Sequence, residues 1–115
     1  MTAAAFRKLA LSLPEATEAP HFQRASFRVG KKIFATMTAA GDEAMVRVAP
    51  RPKLYALLKQ QPEVFFSYGG WTERNGSCGV RLAKADPAQL RELVVESWRQ
   101  VAGKRLQATF DGQSS

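Results

Sequence analysis

Three arginines occupy equivalent places in three separate alternating runs of this chain. Arg28 lies in Ser26-Phe27-Arg28-Val29, Arg47 in Ala44-Met45-Val46-Arg47-Val48, and Arg81 in Cys78-Gly79-Val80-Arg81-Leu82. Side chains along a strand alternate between its faces, so each arginine falls opposite the apolar residues of its own run. If those apolar faces meet one core, the three guanidinium groups share the other side of a single sheet. A guanidinium grips phosphate bidentately, which makes that side a candidate anion-binding face. Lys31 and Lys32 add charge at one predicted hairpin tip, and Trp71 with Arg74 stand at another, where an indole could stack on a base. The same placement also serves plain solubility, since open antiparallel sheets turn Arg, Lys and Thr outward. Trp71 could equally fold back to cap the core.

Other chemistry has less to build on. His21, Glu15 and Glu18 lie within seven residues in a proline-bounded segment, close enough for a general acid–base pair. The simpler reading is a surface loop whose Phe22 packs on the core. Cys78 heads a predicted core strand, where a thiol is ordinarily inert. One His and one Cys cannot complete a tetrahedral zinc site, and the adjacent Asp42-Glu43 pair of a turn is ordinarily solvated. No phosphate loop, dinucleotide fingerprint or nucleophile elbow is present. A non-catalytic protein without metal or cofactor is the expectation.

These residues need elements to position them. Thr2 and the stripe Phe6, Leu9, Ala10, Leu13 predict an N-terminal helix, which Pro14 stops. Gly30-Lys31 predicts a two-residue type II′ hairpin, with Val29 facing Lys32, Arg28 facing Ile33 and Phe27 facing Phe34. A turn at Gly41-Asp42 leads to the strand Ala44 to Val48. Leu54, Leu57 and Leu58 mark a short helix between Pro52 and Pro62. A fourth strand, Val64 to Tyr68, is joined to a fifth, Cys78 to Leu82, by a long hairpin loop over Gly69 to Gly76. Asp86, Pro87 and Gln89 then open the last helix, whose apolar face is Leu90, Leu93, Val94, Trp98 and Val101, with Lys104 and Arg105 near its end. The expected architecture is an α+β two-layer sandwich, an antiparallel sheet of about five strands with the N- and C-terminal helices on one face.

The composition agrees with one domain. The 115 residues are 45% hydrophobic and 23% charged, with a single cysteine, so no disulfide forms within the chain. Seventeen Lys and Arg against ten Asp and Glu give +7, a balance that favours anionic partners. No apolar run approaches the ~20 residues needed to span a bilayer, and no signal peptide is visible. A cytoplasmic monomer is expected, with residues 1–110 as the domain and 111–115 as a flexible tail.

His21-Phe22, the run from Ser26 through Gly30-Lys31-Lys32 to Ala35, Gly79-Val80-Arg81-Leu82, and Leu90 through Trp98 to Leu106 together resemble the bacterial MmcQ/YjbR family. The resemblance implies a frataxin-like (CyaY-like) fold and DNA binding by two hairpin "wings". By position the wings are the hairpin at Gly30-Lys31 and the one from Phe65 to Leu82. Two places depart from the family pattern: Gln23-Arg24-Ala25 replaces a Gly and Pro after the His-Phe step, and Thr72 to Ser77 lengthens the second hairpin. The iron chemistry of frataxins does not carry over, because the first helix holds Arg7 and Lys8 and no carboxylate precedes Glu15.

The sequence therefore leads to an expectation of double-stranded DNA bound by Arg28, Lys31, Lys32, Arg47, Arg81, Trp71 and Arg74, mostly through phosphates. The alternative is a domain that receives an anionic small molecule or an acidic protein.

Overall fold

The computed structural model describes residues 1–113; of Trp71 and Gln113 it describes the backbone alone. The N-terminal stripe forms α1 (Ala3–Leu11), whose first turn is capped by the Thr2 hydroxyl accepting the Ala5 N–H at 3.1 Å. It sinks Phe6 and Ala10 into the core, and Phe6 meets Phe27 edge-on at 5.9 Å. Four strands follow: β1 (Ala16–His21), β2 (Arg24–Val29), β3 (Lys32–Thr38) and β4 (Glu43–Arg47). Then come α2 (Arg51–Gln60), β5 (Phe65–Phe66), α3 (Gly70–Arg74), β6 (Ser77–Arg81), α4 (Pro87–Val101) and α5 (Lys104–Gln113). The strands lie in the order β1-β2-β3-β4-β6-β5, and every neighbouring pair is antiparallel.

This is the expected α+β arrangement, with six strands rather than about five. Helix α4 begins as its residues dictate: Asp86 accepts the Gln89 N–H at 2.9 Å, and Pro87 takes the first helical position, where a missing N–H costs nothing. Its apolar face, Leu90, Leu93, Val94, Trp98 and Val101, is buried with Phe27, Phe34, Val46 and Val80 of the sheet.

Five expectations need correction. The segment holding Glu18 and His21 is a strand, not a loop. It lies at the sheet edge and pairs only with β2, where a proline such as Pro20 is tolerated. Residues 69–76 are not a hairpin loop, because they contain α3; β5 has only two residues, so the second hairpin is no projecting ribbon. Leu82 belongs to a single 3-10 turn after β6, yet stays buried. The last helix stops at Val101, and a further helix, α5, packs Phe110 at 5.4 Å from the Trp98 ring. Residues 111–113, expected in a tail, continue that helix, and Asp111 pairs with Arg99 at 2.6 Å. Ser114 and Ser115 lie outside the described residues.

The first hairpin follows the predicted register at its turn, with Val29 opposite Lys32, Arg28 opposite Ile33 and Gly30 at φ 61°. One step later it departs: Phe27 faces Ala35, because a β-bulge makes Phe34 the extra residue of β3. Pairing of β3 with β4 runs only from Met37–Ala44 to Ala35–Val46. Beyond it, α4 bridges the two strands. The buried Ser97 hydroxyl accepts the Arg47 N–H at 2.9 Å and donates to the Phe34 carbonyl at 2.5 Å, while Gln100 Nε2 donates to the Arg47 carbonyl at 3.0 Å. The backbone of Arg47 is thus fixed by a helix.

Candidate functional site

The registers place the outward residues of the sheet in three rows. Arg28, Ile33, Arg47 and Ser77 form one end row; Ser26, Thr36, Met45 and Gly79 cross the middle; Arg24, Thr38, Glu43 and Arg81 form the other end. Arg28, Arg47 and Arg81 therefore share the face away from α4, but not one site. Arg28 and Arg47 occupy the same end, and Arg81 stands at the opposite one.

A groove of about 900 Å³ lies on this face. Its floor is Ile33, Thr36, Met45, Arg47 and Ser77; the turn His21-Phe22-Gln23 and Arg24 close one side, and Tyr68, Thr72 and Asn75 the other. Lys31 and Lys32, both exposed, stand at the end set by the Gly30-Lys31 turn. Its cations are thus Arg24, Lys31, Lys32 and Arg47, and no carboxylate is among its lining residues. Among the described residues the ion pairs are Arg7–Glu18, Lys53–Glu96, Arg99–Asp111 and Arg105–Glu15, none of which uses a groove cation. The Arg47 guanidinium has no hydrogen-bond partner there.

The other arginine candidates lie outside the groove. Arg28 donates to the Ser26 hydroxyl at 2.8 Å and to the Pro20 carbonyl at 3.4 Å, and it lies outside the groove. Arg81 lies 4.7 Å over the Phe66 ring and donates to the Pro62 carbonyl at 3.2 Å. Arg74 is exposed on α3 and does not line the groove; its carbonyl accepts from Arg51. Trp71 sits in α3, and its side chain lies outside the described residues.

Arg24 is a groove cation that the sequence reading missed, although period two from Ser26 and Arg28 reaches it. It donates to Thr36 and to the Tyr68 hydroxyl, each at 3.3 Å, with its guanidinium 5.3 Å over the Tyr68 ring. Tyr68 in turn lies 5.2 Å from Phe66. Arg81, Phe66, Tyr68 and Arg24 thus form a chain along one margin of the face, two adjacent rings with a cation at each end. Gly79 makes room for them, because a Cβ there would come within 2.4 Å of the Phe66 ring. Gly79→Val is expected to push that ring aside and to cost about 1–3 kcal/mol of stability, read from urea unfolding.

His21 and Glu18 do not meet. Three residues apart on a strand, they point to opposite faces, and Glu18 pairs with Arg7 of α1 at 2.9 Å. Glu15 faces Arg105 at 3.8 Å. The expected packing of Phe22 on the core is also wrong: the residue is 93% exposed. No group of three or more potential metal ligands occurs among the described residues. No helix there is long and apolar enough to cross a membrane.

Cys78 faces the core beside Val80, and burial pushes its thiol from 9.0 up to about 12. Above pH 9 the unfolded chain sheds the thiol proton while the folded one keeps it. Relative to Cys78→Ala, the parent is expected to lose about 1.4 kcal/mol of stability per pH unit between 9 and 12. Urea titrations at stepped pH measure this difference.

The YjbR family model matches residues 11–100, which is most of the chain. The chain belongs to the YjbR family. Among relatives of this YjbR chain, uncharacterized protein Rv2570 of Mycobacterium tuberculosis and uncharacterized protein Mb2600 of Mycobacterium bovis are each 30% identical to it. Each alignment covers 83% of this chain and 83% of the relative. The crystal structure of Deinococcus radiodurans protein DR2400, which carries the DUF419 family domain, superposes with a TM-score of 0.74. At 22% identity over 90% of this YjbR chain and 80% of its own, it shows a shared fold.

Proposed function

We propose that this YjbR protein is a non-catalytic module whose open sheet face binds nucleic acid, chiefly through phosphates and with little sequence preference. The observation that carries this reading is the groove's one-sided charge: Arg24, Lys31, Lys32 and Arg47 line it, and no carboxylate does. An uncompensated cation releases counterions when it meets a phosphate, so each contact adds a salt-dependent increment to affinity. The net charge of +7 supplies attraction at longer range. Relative to the sequence-based expectation, the site moves along the sheet: Lys31, Lys32 and Arg47 remain, Arg24 joins, and Arg28, Arg81 and Arg74 act outside the groove.

The test is a salt titration of oligonucleotide binding by fluorescence anisotropy. For the parent, a Kd of about 10⁻⁴–10⁻⁶ M at physiological salt is expected. The triple variant Lys31→Ala, Lys32→Ala, Arg47→Ala is expected to bind more weakly, with the log–log salt slope reduced by about 0.7–0.9 per lost contact. Its circular dichroism should match the parent's. Equal affinity of variant and parent at low salt overturns the reading.

The groove's concavity favours a second reading, an anionic small molecule. About 900 Å³ falls within the range of small-ligand sites, and Tyr68 and Phe22 would flank an aromatic or planar ligand. Saturable binding of a nucleoside phosphate by calorimetry, with no oligonucleotide binding, would select it.

A further inference from the structure

The β1–β2 hairpin turns through only Phe22 and Gln23, and Phe22 takes the first loop position with φ 57°. Such a position normally carries Gly, Asn or Asp, because a Cβ is crowded at positive φ. Phenylalanine there bears the backbone cost and receives no burial in return. Phe22 is 93% exposed, and among the described residues its one ring contact is the edge of His21 at 4.7 Å. Nothing in the packing explains this side chain; the groove beside it does. Phe22 stands on the rim next to Arg24, whose guanidinium lies against Tyr68.

We infer that the groove takes an unpaired nucleic-acid strand, with Phe22 stacking on a base while the cations hold the backbone. This rests on the nucleic-acid reading above and narrows it. In a duplex the faces of the bases are occupied by their neighbours, so an aromatic ring on a groove rim finds no partner there without unstacking. In a single strand every base offers a face, and stacking tolerates any sequence. The groove runs between the turns at the two ends of β2. Six residues at 3.4 Å span about 20 Å, a length suited to a short run of extended backbone. Arg24 lies at one end and Lys31 and Lys32 at the other, so cations stand ready for phosphates at both ends.

The experiment compares labelled oligo(dT), oligo(U) and an oligo(dA)–oligo(dT) duplex as probes for the full chain, its Phe22→Leu and Phe22→Trp variants, and Lys31→Ala with Lys32→Ala. At least one single strand is expected to bind more tightly than the duplex, and the two arms tell DNA from RNA. Phe22→Leu is expected to weaken single-strand binding by about fivefold or more and to leave duplex binding unchanged, while Phe22→Trp retains it. Because Phe22 is exposed, both variants should keep the parent's unfolding midpoint. Equal binding of strand and duplex, or no effect of Phe22→Leu, overturns the inference. If the lysine variant still weakens every probe, the phosphate reading survives alone; if no probe binds, both fall.

Discussion

Alanine in place of Trp98 is expected to cost about 3–5 kcal/mol, a large part of the ~5–15 kcal/mol that a domain of this size holds in total. Trp98 is fully buried and is the largest such side chain among the described residues. Its indole N–H donates to the Pro14 carbonyl at 3.1 Å, tying α4 to the residue that ends the α1 segment and precedes β1. Phe110 of α5 rests on the same ring. Truncation therefore opens a cavity, frees the Pro14 carbonyl and removes the surface on which α5 docks. Urea unfolding followed by circular dichroism measures the loss. Trp98→Phe separates the contributions, since it restores most of the volume but not the hydrogen bond, and about half the cost is expected to remain.

Ser97→Ala removes a single heavy atom, yet it is expected to cost about 2–5 kcal/mol. The hydroxyl serves two backbone groups, the part-buried Arg47 N–H and the buried Phe34 carbonyl, where the β3–β4 ladder has ended. Each group left unsatisfied in the interior costs about 1–3 kcal/mol. The slope of the urea transition should be unchanged, because the same surface is exposed on unfolding. A loss below 0.5 kcal/mol would mean that water or a shifted strand replaces the serine.

The elements with a strong local signal were legible before any coordinates. Asp86-Pro87 opens α4, Gly30-Lys31 turns the hairpin, and alternation puts Arg28, Arg47 and Arg81 on one face, all as the residues imply. What escaped the sequence was set by neighbours. Ala16 to His21 has too few β-branched residues to read as a strand, and only the edge position beside β2 makes it one. Gly69-Gly70 suggested a loop because a helix of five residues has no room for a periodic stripe. The Phe34 bulge leaves no mark in composition, yet it shifts register by one residue. Arg24 escapes a reading that starts the alternating run at Ser26, whereas β2 opens at Arg24. The reading of Phe22 as packed on the core fails because sequence does not distinguish a buried ring from one held outward by a two-residue turn.

Handing the Arg47 amide to Ser97 has a mechanical result. A strand residue ordinarily answers to the strands beside it, but here the guanidinium at the groove floor is anchored through α4, and Gln100 repeats the grip one turn on. Tension on that side chain from an occupant is delivered straight through the thickness of the molecule. Occupancy should therefore slow amide hydrogen exchange along Leu93 to Val101, on the side that the occupant never touches.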